Sequence, residues 1–118
     1  MKILLIDDEQ EILDAVEKIL IKDGFEVDTA ATITEGKSKI NEFYYDLVIS
    51  DIMLPHWGGF DLVDAIKDNP FKKNTPVIII TGMDKDILEN SHIFADLCLP
   101  KPFTRNQLLE AVHLFVKN

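Results

Sequence analysis

Short apolar runs alternate along this chain with stretches in which apolar positions recur every three or four residues. The runs are Ile3–Ile6, Phe25–Ala30, Leu47–Ser50, Val77–Ile80 and Leu97–Leu99. Three of them lack polar alternation, the mark of strands covered on both faces. In the second, Phe25, Val27 and Thr29 alternate with Glu26 and Asp28, which predicts an edge strand. The intervening stretches have helical spacing. Ile12, Leu13, Val16, Ile19 and Leu20 fall on one face, with Glu11, Asp14, Glu17 and Lys18 opposite. That helix stops at Gly24, a usual C-terminal glycine. Thr32 with Glu35 reads as a capping box opening a second helix through Ile40, and Thr104 with Gln107 opens a last one. Leu108, Leu109, Val112, Phe115 and Val116 line one side of the last helix. Between these lie a helix over Gly58–Asp68, ending before Pro70, and a short one over Ile87–Phe94 capped by Asp84.

Five strand-then-helix units imply parallel pairing through right-handed crossovers. The expected fold is α/β: a flavodoxin-like, doubly wound five-stranded parallel sheet in the order 2-1-3-4-5, with five helices. At 118 residues the chain is expected to be a single domain, 1–118. With 47% hydrophobic residues it has the apolar content of a globular core rather than of a disordered segment. The net charge of −9 disfavours direct nucleic acid binding and anionic membrane surfaces. One cysteine permits neither an internal disulfide nor a cysteine-based zinc site. The apolar start meets Asp7-Asp8-Glu9 after four residues, unlike a secretory signal, so a cytoplasmic location is expected.

The polar residues of interest sit at predicted strand ends. Asp7 and Asp8 follow the first strand, Asp51 the third, Thr81 the fourth and Lys101 the fifth. The first and third strands should be neighbours where the winding reverses, which is where such sheets bind ligands. Three converging carboxylates need relief. A hard divalent cation such as Mg²⁺ supplies it, as does Lys101 from the other side. A metal, a lysine, a hydroxyl and a carboxylate nucleophile are the parts of a phosphoryl transfer site.

Ile6-Asp7-Asp8-Glu9, Asp51-Ile52-Met53-Leu54-Pro55 with Gly58-Gly59 beyond, Thr81-Gly82 and Lys101-Pro102-Phe103 together resemble the receiver domain of a two-component response regulator, over the whole chain. The resemblance implies that Asp51 accepts a phosphoryl group from a sensor histidine kinase. It implies that Asp8, Asp51 and the Met53 carbonyl bind Mg²⁺ directly, with Asp7 acting mostly through water. Thr81 would hydrogen-bond one phosphoryl oxygen and Lys101 would pair with another, beside a cis Lys101–Pro102 bond. An output protein or effector domain would read the change on the face of the fourth helix, fifth strand and last helix.

The chain departs from the family at Cys98, where an aromatic usually stands, and in the short stretch between Thr81 and Lys101. Cys98 is read as a small apolar packing residue. The residues two after Asp51 and two after Thr81 are Met53 and Met83; thioethers orient water poorly, so slow self-dephosphorylation is expected. His56, His92 and His113 are read as surface or packing residues, although His56 and Trp57 could touch a kinase. Ala111 and Leu114 widen the apolar side of the last helix, for packing or for a homodimer face. Two alternatives compete. A haloacid-dehalogenase-type phosphatase would want an Asp where Met53 stands. A phosphate-independent domain of the same fold would lack Asp51 or Lys101, and both are present.

Overall fold

The computed structural model describes residues 1–51, 66–70, 72, 74–82 and 96–117. Its five strands are β1 (Lys2–Ile6), β2 (Glu26–Ala30), β3 (Leu47–Asp51), β4 (Val77–Thr81) and β5 (Leu97–Pro100). They form one parallel sheet in the order β2-β1-β3-β4-β5, as the alternation of patterns predicts. Helices α1 (Gln10–Lys22) and α2 (Ile33–Glu42) and a C-terminal helix (Arg105–His113) accompany the sheet, and 66–68 is helical. The rest of the helix expected over Gly58–Asp68, and the whole of that over Ile87–Phe94, lie outside the described residues.

Strand periodicity sends alternate side chains to opposite faces, and each face has its own core. Ile3, Leu5, Leu47, Ile49, Ile78, Ile80 and Leu99 pack with α1 and the C-terminal helix. Leu4, Ile6, Val48, Val77 and Ile79 pack on the other side with Ile40 of α2 and Ile66. The central strands are therefore apolar at nearly every position, which is why their sequences show no alternation.

The helices end where the chain's chemistry dictates. α1 buries Leu13, Val16 and Leu20, each side chain contributing roughly 1.5–3 kcal/mol by its removal from water. Gly24 then takes φ 96°, a left-handed conformation costly for residues with a Cβ. The Phe25 N–H donates to the Leu20 carbonyl at 3.1 Å and the Gly24 N–H to the Ile21 carbonyl at 3.0 Å. Those two bonds close a Schellman motif. Thr104 and Gln107 form the complete capping box. At α2 the Thr32 hydroxyl accepts from the Glu35 N–H, but the Glu35 carboxylate reaches back to the Ala31 N–H instead.

Some expectations need correction. Strands β1, β3, β4 and β5 each run one residue beyond their apolar runs, so Asp51 and Thr81 are the last residues of β3 and β4 and do not follow them. Phe25 is buried but precedes β2. Cys98 is exposed, on the outermost strand and on the sheet face opposite to Leu99. Burial of part of its surface still pushes the thiol up from its usual range. Ala111 goes into the core, whereas Leu114 is 71% exposed. His113 is exposed, with Nε2 2.6 Å from Asp23 Oδ2.

Candidate functional site

β1 and β3 are adjacent, with Ile6 paired to Ser50, so Asp7 and Asp51 emerge side by side at their carboxyl ends. The Asp7 N–H bonds the Ala30 carbonyl at 3.1 Å, and its Oδ1 accepts from the Glu9 N–H at 2.8 Å. These bonds fix a carboxylate whose side chain is 1% exposed; that of Asp51 is 6% exposed. Asp8, the next residue, is exposed. On the far side, β4 ends at fully buried Thr81, whose carbonyl accepts from the Lys101 N–H at 2.8 Å. That bond seats Lys101 just beyond β5, and the following Lys101–Pro102 peptide is cis, as the resemblance implied.

The Lys101 ammonium lies 3.3 Å from Asp51 Oδ1, 3.4 Å from Asp7 Oδ2 and 3.4 Å from Glu9 Oε1. Asp7, Asp8, Glu9 and Asp51 each offer a carboxylate oxygen, all within 4.8 Å of one another. Among the described residues, the Lys101 ammonium pairs with three of these four carboxylates, Asp8 being the fourth. The charge imbalance shows in the acidities of Asp51 and Asp7. Burial, then the Asp7 charge, push Asp51 up to about 6; Lys101 opposes this and Asp8 adds to it. Burial also raises Asp7, against the Glu9 N–H and Lys101. Burial would lower Lys101, but Asp51, Asp7 and Glu9 outweigh it and the net shift is upward.

An all-carboxylate donor set with surplus negative charge fits a hard divalent cation, which takes oxygen ligands. The structure thus brings together Asp7, Asp8, Asp51, Thr81 and Lys101 as the strand-end reading expected. Met53, Met83, His56, His92 and Trp57 lie outside the described residues. Glu9, which stands in the Ile6-Asp7-Asp8-Glu9 motif with no role assigned to it, also joins the cluster. Its signal was its place directly after Asp7-Asp8, at a helix start where glutamate is a poor cap.

Residues 3–113 match the response regulator receiver domain family. The chain belongs to that family, whose members act in phosphorylation-dependent signalling. It is 34% identical to a transcriptional regulatory protein, a CpxR homolog of Haemophilus influenzae, over 98% of this chain and 50% of that protein. Among solved structures it resembles the chemotaxis response regulator CheY4 of Vibrio cholerae, with TM-score 0.87, 31% identity and 98% of each chain covered. It also resembles the response regulator TrrA of Thermotoga maritima in complex with Mg²⁺ and BeF, with TM-score 0.85, 31% identity and 98% of each chain covered. The chain spans about half the length of several of the curated relatives it matches. Among the described residues no helix is long and apolar enough to cross a membrane.

Proposed function

We propose that Asp51 is the phosphoacceptor of this receiver domain and that a sensor histidine kinase is its donor. The observation that carries this reading is the Asp51 carboxylate, almost buried, 3.3 Å from the Lys101 ammonium and beside Asp7. In the reaction an Asp51 oxygen attacks phosphorus, the phosphorus–nitrogen bond to the donor histidine breaks, and an aspartyl phosphate forms. Burial excludes water from the nucleophile. Lys101 neutralises charge on the transferred group, and Thr81 offers its hydroxyl to a phosphoryl oxygen. Asp8 and Asp51, with Asp7 beside them, would hold Mg²⁺. When bound, this ion supplies positive charge against the transferring phosphoryl oxygens. The domain promotes its own phosphotransfer, and a partner or effector domain in the cytoplasm reads the result.

Incubation with acetyl phosphate and Mg²⁺ followed by intact mass tests the assignment. One phosphoryl group should be gained by the wild type and none by Asp51→Asn. Equal labelling of both would reject it. With Met53 and Met83 as the residues that would have to guide water, self-dephosphorylation is slow. A chase free of donor should show loss over many minutes, faster in Met53→Asn, Met83→Glu. Loss of the wild-type label within seconds would reject this.

A further inference from the structure

Glu9 stands immediately before α1, where helices favour Ser, Thr, Asp or Asn. Their short side chains accept hydrogen bonds from the N–H groups of the first turn. The Glu9 side chain makes no such bond. Its main chain is nonetheless held firmly. The N–H donates to Asp7 Oδ1 at 2.8 Å, and the carbonyl accepts from the Ile12 and Leu13 N–H groups, both at 3.1 Å. From this fixed base the carboxylate turns away from the helix, and Oε1 sits 3.4 Å from Lys101 Nζ. Asp7 and Asp51 approach the same ammonium with side chains 1% and 6% exposed, whereas that of Glu9 is 59% exposed. The ammonium is thus gripped by two carboxylates from inside and one from the solvent side.

We propose that Glu9 is a positioning residue for Lys101. It holds the ammonium at the outer edge of the unphosphorylated site and competes for it with a phosphoryl group on Asp51. The inference rests on the reading of Asp51 as phosphoacceptor. Lys101 can pair fully with incoming phosphoryl oxygens only by loosening its contact with Glu9. A third carboxylate on the ammonium therefore favours the unphosphorylated form. A local rule is broken at the start of α1, and the side chain that breaks it is spent on the site.

The test uses the full chain as wild type, Glu9→Gln, Glu9→Asp and Asp51→Asn, with acetyl phosphate and Mg²⁺ and intact mass as the readout. Glu9→Gln should raise the second-order rate constant of labelling, and lengthen the phosphoryl lifetime after donor removal. Each change should be roughly two- to fivefold, the scale of one exposed ion pair. Glu9→Asp keeps the charge but is one methylene too short to reach Lys101, so it should behave as Glu9→Gln does. A role confined to capping α1 would move thermal stability and leave both rates alone. Labelling of Asp51→Asn, or no labelling of the wild type, would overturn the Asp51 assignment and the inference with it. Wild-type labelling that is lost in Asp51→Asn, with Glu9→Gln matching the wild type, overturns the role of Glu9 alone. Glu9→Asp matching the wild type while Glu9→Gln differs would assign the effect to charge and overturn positioning.

Discussion

At Asp51 the site opposes the fold. The unfolded carboxyl titrates near 3.8, and the folded one is pushed up to about 6 by burial and by Asp7. A carboxyl raised on folding stabilises the folded state only while it is protonated there. The cost is absent below pH 3.8, grows as pH rises, and is complete above about 6. A rise of this size, already net of the opposing Lys101 charge, corresponds to a cost on the order of 1–3 kcal/mol. Asp51→Asn removes the charge and keeps the shape. It should therefore be more stable than wild type at neutral pH by about 1–3 kcal/mol, and the gain should fade as pH falls from about 6 towards 4. Denaturant midpoints at several pH values, without divalent cations, measure this. A gain that persists undiminished at pH 4, or a loss at pH 7, would refute the electrostatic origin. Strain of this kind is expected at a group kept for reaction and not for stability.

Between elements, α2 lies close against β1 at Gly36. Gly36 is buried, and a Cβ placed on it would stand 2.4 Å from Ile6 Cδ1 and 3.1 Å from Ile6 Cγ1. A Cβ there would require the buried Ile6 side chain to shift within the core, and the glycine's own backbone is ordinary helix that carries an entropic cost relative to alanine. Gly36→Ala should destabilise the fold by about 1–3 kcal/mol despite better helix propensity. Ile6→Val removes Cδ1, the nearer clashing atom. The double variant should then be less destabilised than the two single changes added together, with a coupling of about 0.5–2 kcal/mol in a double-mutant cycle. Strict additivity would place the cost elsewhere. Such contacts escape a one-dimensional reading for a physical reason. Strand and helix positions were legible because the buried strands are unbroken apolar runs and the caps at Thr32, Gly24 and Thr104 act locally. The close contact at position 36 depends on which strand α2 crosses, and at which height. So do the bond from the Tyr45 hydroxyl to Asp28, 2.7 Å long, and the contact of Asp23 with His113.

Across the whole molecule, the parallel order places every strand's carboxyl end on one side, so residues from position 7 to position 101 meet at a single cluster. That convergence was legible from strand order alone, which is why Asp7, Asp8, Asp51, Thr81 and Lys101 group together in the sequence reading. The reach of Glu9 was not, because a side chain at a helix start has several directions open to it. The same convergence couples the chain's net charge of −9 to its stability. A divalent cation that binds the folded cluster, and not the dispersed carboxylates of the unfolded chain, must stabilise the whole domain. At ten times its dissociation constant the gain is about 1.4 kcal/mol. Protons compete for the same oxygens, and Asp51 holds its proton up to a pH of about 6. Mg²⁺ should therefore raise the thermal midpoint by several degrees at about pH 7.5, and much less at about pH 5. Asp8→Ala should abolish most of the rise, since it removes an exposed carboxylate from the cluster without opening the core. Thermal unfolding with and without Mg²⁺, at matched ionic strength, separates binding from general screening of charge. An equal rise at both pH values, or in the Asp8→Ala variant, would mean that Mg²⁺ acts on the net charge of the chain and not at this site.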